Sequence, residues 1–218
     1  MKRLYIIVEG QTEQEFVKTL IAPYLQKHEI FEVTPILIRT SKTGRGGFVN
    51  YQHLKKDAER LLKSEKKDFI VSMFVDFFRC PEVPHKEKWS VKSSHIGQVE
   101  EMERCIKDDI KDVRFIPYIQ LHEFEALLFA SNEGFNSFFD EIQKEKAQRI
   151  INSYDNPEDI NTTPEGAPSK RILAIKEDYD KVLEGNLIAL EIGFSKIMEK
   201  CTRFRAWIEK LIELCKES

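Results

Sequence analysis

The first apolar run of the chain, Leu4-Tyr5-Ile6-Ile7-Val8, carries no charge and gives way abruptly to Glu9-Gly10-Gln11-Thr12-Glu13. Unbroken apolar positions, mostly β-branched or aromatic, are the pattern of a strand covered on both faces, as in a parallel sheet. Gly10 suits a sharp turn after it. Thr12 then reads as a helix N-cap with Glu15 closing a capping box, and Phe16, Val17, Leu20 and Ile21 recur at helical spacing over residues 13–27. This order delivers Glu9 to the carboxyl end of a strand, where ligands bind in open α/β sheets. Glu13 and Glu15 equally suit the helix dipole. Glu9 precedes the helix, where no dipole argument requires an acid.

The same alternation recurs along the chain. Residues 33–38 predict a second strand, with Pro35 tolerable near its start. Residues 39–50 read as a loop, 51–63 as a helix, and 69–75 as the most apolar strand, which ends on Asp76. The stretch 78–93 holds prolines and charges in neither period and reads as an insertion beside that strand end. A helix over 95–109 leads to a fourth strand, 113–121, which contains Pro117 and ends on His122-Glu123-Phe124-Glu125. Beyond it no strand pattern returns. Residues 126–129, 135–151, 170–183 and 204–214 read as helices, with a proline-bearing loop over 156–169. Strands joined by helical crossovers imply an α/β fold: a Rossmann-like, mainly parallel four-stranded sheet between helices over residues 1–130, with a helical extension over 131–218 packed on it.

Composition narrows the class. With 218 residues, 41% hydrophobic and 33% charged, the chain can build a substantial core and is neither disordered nor fibrous. It has no apolar run of the roughly 18 residues that a membrane helix needs, and the run behind Met1-Lys2-Arg3 is too short for a secretory signal, so a cytoplasmic protein without membrane contact is expected. Cys80, Cys105, Cys201 and Cys215 form no Cys-x-x-Cys pair, which argues against a structural zinc site, a redox motif or a disulfide framework. A net charge of −3 gives no whole-chain attraction to nucleic acid, but local basic patches are not governed by that sum.

Three of the four expected strands finish on acids: Glu9, Asp76, and the pair Glu123 and Glu125. In a parallel sheet those ends share one rim. Carboxylates gathered there repel one another, and the simplest physical use of them is to hold a hard divalent cation, Mg²⁺ or Mn²⁺, which points to phosphoryl chemistry. The bland alternative is that each acid is a polar residue emerging where a strand meets solvent. His122-Glu123-Phe124-Glu125-Ala126 lacks the second histidine of a His-Glu-x-x-His zinc site; His122 is a candidate ligand, general base or phosphate contact, or equally a satisfied, partly buried histidine. The Gly-rich segment Lys42-Thr43-Gly44-Arg45-Gly46-Gly47 matches neither a Walker loop nor a dinucleotide fingerprint. Together with Arg39, and with Lys170 and Arg171 further on, Lys42 and Arg45 suit a nucleic-acid backbone, or they are merely solvated.

Val8-Glu9-Gly10 with Glu13 beyond it, followed by an apolar strand ending on Asp76, resembles the TOPRIM domain of topoisomerases, DnaG-type primases and OLD-family nucleases. With His122-Glu123-Phe124-Glu125-Ala126-Leu127-Leu128-Phe129 and Ala167-Pro168-Ser169-Lys170-Arg171, the chain as a whole resembles a prokaryotic TOPRIM-like family, domain of unknown function 4276. The resemblance implies a TOPRIM-like sheet, metal-dependent phosphodiester hydrolysis on nucleic acid in a prokaryotic (phage) defence system, and a separate ATPase partner, since the chain has no nucleotide motif of its own. Glu9 takes the acid/base or metal role. Glu9, Asp76, Glu123 and Glu125 are the expected metal ligands, with Glu13 or His122 assisting proton transfer. TOPRIM proteins usually carry Asp-x-Asp where this chain has Asp76-Phe77-Phe78, a departure from the two-metal pattern; the acids at the neighbouring strand end, Glu123 or Glu125, are our candidates to replace the second aspartate. The alternative is a catalytically inactive module that docks a partner. DNA or RNA, and a single chain or a homo-oligomer, stay open.

Overall fold

The computed structural model describes residues 2–39, 50–63, 68–77, 80, 82–84, 94–160 and 166–216. Five strands, β1 (Arg3–Val8), β2 (Val33–Leu37), β3 (Phe69–Asp76), β4 (Phe115–Ile116) and β5 (Ile119–Gln120), pair in parallel in the order β2-β1-β3, with β4 and β5 both on β3. β4 pairs Val71 with Phe115 and β5 pairs Asp76 with Gln120, which is one unbroken register. They are the single expected fourth strand, interrupted at Pro117, which has no N–H for the ladder.

Helices cover both faces of the sheet. α1 (Gln11–Phe16) continues through a π-helical turn, Val17–Ile21, into α2 (Ala22–Gln26). α3 (Tyr51–Leu62) and α4 (His95–Ile110) are the crossovers that flank β3. Side-chain alternation splits the apolar strands between two cores. Leu4, Ile6, Val8, Ile70 and Phe74 pack against α1, α2 and the carboxyl-terminal helices, while Ile7, Val71, Met73 and Val75 pack against α3 and α4. Every residue of β3 is buried, as a central strand covered on both sides requires. Asp76 shares its strand face with Ser72 and Phe74, toward the carboxyl-terminal helices.

Beyond β5 the chain forms a 3₁₀ helix over Phe124–Ala130, another over Asn132–Phe135, and α5 (Glu141–Ile151), α6 (Pro168–Ile175), α7 (Glu184–Ile192), α8 (Phe194–Lys200) and α9 (Thr202–Lys216). Two helices expected from periodicity are shorter than expected. Asp140 and Gln143 form a reciprocal capping box that delays α5, expected from residue 135, to Glu141. The helix expected over 170–183 stops at Ile175, and residues 176–183 form a loop. α9 lies against β3. The Trp207 indole stacks on Tyr118 at 4.5 Å and 8° and on Phe74 at 5.5 Å, and its Nε1 donates to Ser72 Oγ at 2.9 Å. Ser72 in turn donates to the Ile116 carbonyl at 2.7 Å, so the buried hydroxyl in the middle of β3 both donates and accepts. The four cysteines are free thiols, and among the described residues no helix is long and apolar enough to cross a membrane.

Trp207→Ala removes a stacked ring and leaves Ser72 without a donor. Urea unfolding is expected to show a loss of about 3–5 kcal/mol, read as a lower midpoint at unchanged slope.

Candidate functional site

β1 ends at Val8, and Glu9 follows. The Glu9 carboxylate accepts from the backbone N–H of Asp76 at 3.4 Å, which links the ends of the two central strands. Gly10, not Thr12, is the N-cap of α1, and no side chain caps that helix. The Gly10 backbone is extended, a conformation open to any residue, so the expected turn is not why glycine stands there. A Cβ at Gly10 would lie 2.9 Å from Glu13 Oε2. The missing side chain makes room for the Glu13 carboxylate, which is buried rather than displayed at a solvated helix end.

Asp76 closes β3, and its Oδ1 accepts from the Phe124 N–H at 2.9 Å, pinning the start of the 3₁₀ helix to the sheet. That helix runs seven residues, all buried, whereas runs beyond about four are uncommon. It carries Glu125 into the interior with 0% exposure, and neither of its carboxylate oxygens has a hydrogen bond. Glu123 turns the other way. Its Oε2 accepts from the Ser169 N–H at 2.9 Å in the first turn of α6, so the carboxylate ties Pro168-Ser169-Lys170-Arg171 to the rim.

A residue that sequence reasoning did not single out sits among these acids. Lys181 Nζ lies 3.2 Å from Glu125 Oε2, 3.5 Å from Asp76 Oδ2 and 3.6 Å from Glu13 Oε1. The loop that brings it there is built from local ties. Lys176 pairs with Asp178 and Glu184, both at 2.9 Å, and Asp180 Oδ1 accepts from the Val182 and Leu183 N–H groups. Asn186 donates to the Thr12 carbonyl at 3.2 Å and so fixes α7 on α1. In sequence Lys176-Glu177-Asp178-Tyr179-Asp180-Lys181 falls inside the helix expected over 170–183, and no local signal separates Lys181 from its neighbours.

The electrostatics follow from one ammonium facing several carboxylates. Burial pushes the Asp76 carboxyl well above its ordinary range; Lys181 pulls it down, and Glu13, Glu9 and Glu125 push it up. Burial likewise raises Glu125, Lys181 opposes that rise, and Glu123 adds to it. For Lys181 itself burial favours the neutral amine, but Asp76, Glu125 and Glu13 outweigh it and hold the ammonium more firmly charged than an ordinary lysine. Cys80 lies close enough that Glu9 and Asp76 reinforce the effect of burial in raising its thiol.

Among the described residues, no three Asp, Glu, His or Cys side chains are grouped so as to hold a metal ion as they stand. The cation among the acids is the ammonium. His122 is buried with a left-handed backbone (φ 68°), and its ring meets His95 edge-on at 5.3 Å. Burial, with His95 beside it, lowers its pKa to about 4, so it is neutral at physiological pH. The basic residues are dispersed. Arg39 is exposed, with its backbone N–H on Asp57, and Lys170 is exposed on α6. The Arg171 guanidinium donates to the Gly166 carbonyl and the Tyr154 hydroxyl. Lys42 and Arg45 lie outside the described residues.

The sequence model of the family described as Domain of unknown function (DUF4276) matches residues 8–212. The chain belongs to that family. The match takes in Glu9, Glu13, Asp76, Glu123, Glu125 and Lys181, so the whole carboxylate cluster of this DUF4276 chain falls inside it. Among solved structures, the carboxyl-terminal region of the Burkholderia pseudomallei OLD protein is similar at 14% identity, with 99% of each chain covered and a TM-score of 0.48. The corresponding region of the Xanthomonas campestris pv. campestris OLD protein is similar at 12% identity over 99% of this chain and 96% of that one, with a TM-score of 0.44. No curated protein matches.

His122 supplies a pH test. Its folded pKa of about 4 lies below the ordinary 6.5, so the neutral ring stabilises the fold above pH 6.5, and that contribution is lost as pH falls toward 4. Asparagine tolerates the left-handed backbone and does not titrate. Between pH 6.5 and 4, His122→Asn is expected to lose less stability than the parent in urea unfolding, by at most about 3 kcal/mol.

Proposed function

We propose that this chain is a metal-dependent phosphodiesterase module acting on nucleic acid, with Mg²⁺ or Mn²⁺ held at the strand-end carboxylates and a separate ATPase as partner. The observation that carries the reading is the convergence of Glu9, Glu13, Asp76 and Glu125 from three separate segments onto one rim, with Glu125 fully buried and its carboxylate facing the Lys181 ammonium at 3.2 Å. Buried carboxylates left without hydrogen bonds are unfavourable unless a cation completes them. The donors are all oxygen, which fits a hard divalent ion rather than a soft one.

Glu9, Asp76 and Glu125 are the proposed ligands. A bound ion would supply an activated water and neutralise charge on the phosphate. Glu123 is held by α6, so its role is to fix the rim. Glu13, whose Oε1 lies 3.6 Å from the ammonium, would accept a proton from a bound water. Neutral His122 is a second acceptor, of low basicity. Arg39 and Lys170, together with Lys42 and Arg45, would meet the phosphate backbone, whose recognition needs charge rather than sequence.

A second reading, a catalytically silent module that docks a partner, is favoured by one observation. Lys181 already offsets the cluster charge, so the fold does not need a metal to neutralise it. The two readings separate by experiment. Under the first, Glu9→Gln lowers divalent-dependent nicking of plasmid DNA or cutting of RNA by about 100-fold or more while far-ultraviolet circular dichroism is unchanged. Millimolar Mg²⁺ or Mn²⁺ raises Tm in the parent and not in Asp76→Asn. Parent-like cutting by Glu9→Gln overturns the role given to Glu9, whereas no cutting and no Tm shift in the parent support the silent module.

A further inference from the structure

We propose that Lys181 is an internal cation that a divalent metal must displace, so that metal loading and release of the 176–183 loop are one event. The inference rests on the metal reading above and adds a gate to it. The ammonium lies 3.2 Å, 3.5 Å and 3.6 Å from Glu125, Asp76 and Glu13, in the space between the carboxylates that a metal would use. A Mg²⁺ ion bound there needs oxygens at about 2.0–2.1 Å. The carboxylates must then close on the metal, and an ammonium kept at its present place would face a dication across a buried gap, where like charges repel strongly.

Glu125 makes the exchange two-sided. Its carboxylate is fully buried, neither oxygen has a hydrogen bond, and Lys181 is the counter-charge against it. Removal of the ammonium without a replacement leaves that carboxylate uncompensated, so loop and metal compete for the same stabilisation. The loop is built to leave. The Lys181 side chain is 38% exposed, and the next two residues, Val182 and Leu183, are 46% and 62% exposed. Inward anchoring between Lys176 and Leu183 falls to Lys181, to Tyr179, whose buried hydroxyl has no hydrogen-bond partner, and to the Val182 carbonyl, which accepts from Asn186 at 3.2 Å near the hinge. The firm ties stand at the two ends of the loop, at Lys176–Glu184 and at Asn186, and serve as hinges.

The test is Mn²⁺ titration by calorimetry into the full chain and into Lys181→Met, which keeps the length of the side chain and removes the charge. The expected result is at least tenfold tighter binding to the variant. On the unaltered protein, hydrogen exchange of amides 176–184 is expected to quicken when Mn²⁺ is added, and this measurement decides the matter by itself if the variant does not fold. Equal or weaker binding to Lys181→Met, or exchange that slows or stays the same while Mn²⁺ binds, overturns the gate and leaves the metal site standing. No Mn²⁺ binding to either protein overturns the metal reading and the gate with it.

Discussion

Burial of several carboxylates on one rim is the constraint around which this fold is arranged. Glu13, Asp76 and Glu125 are each largely withdrawn from water, and Glu9 stands beside them on the end of β1. Charges of one sign in such a place are costly unless a cation meets them, because interior dielectric screens them poorly. Lys181 is that cation in the folded chain, and it arrives from a segment more than a hundred residues beyond Asp76. The rim is therefore not a property of the sheet alone. It exists because the carboxyl-terminal third of the chain brings back a positive charge.

The remaining structure holds that return path in register. Asp76 couples sheet and 3₁₀ helix through the Phe124 N–H, and Glu123 couples the 3₁₀ helix to α6, from which the Lys181 loop departs. On the other side, Glu158 is fully buried and accepts from the N–H groups of Arg203 and Phe204 at the start of α9, while Arg203 donates to the Ile119 carbonyl and to Glu103. These charge-assisted bonds clamp α9 onto the β5 end of the sheet. The aromatic stack of Phe74, Tyr118, Phe204 and Trp207 fills the space beneath. Rigid support of this kind is what a site needs if its acids are to stay close against their own repulsion.

Much of the amino-terminal architecture was legible because its signals are local. Unbroken apolar runs mark the buried strands, and the helical period marks the crossovers between them, so β1, β2, β3, α3 and α4 lie close to where the pattern places them. The carboxyl-terminal third was harder. The 3₁₀ stretch Phe124–Ala130 has no helical period because all of its faces are buried, and α7 is apolar enough on every side to hide its own period. The 176–183 segment looks helical by composition, but Asp180 accepts from the N–H groups that follow it and bends the chain instead. Gly10 shows the same limit at a single residue. Its reason is the nearness of Glu13 Oε2, and that is a spatial fact rather than a turn signal.

The sequence by itself determined that acids stand at the carboxyl ends of parallel strands, since strand patterns and strand polarity are encoded within a few residues. It also spells neither a Walker loop nor a dinucleotide fingerprint. Only the tertiary structure decided which acids face one another, that Glu123 serves α6 while Glu125 turns inward, and that Lys181 completes the cluster. The physical reason is range. Periodicity and capping act over one or two turns of chain, whereas a buried charge is satisfied by whatever partner folding brings within a few ångströms, however distant in sequence.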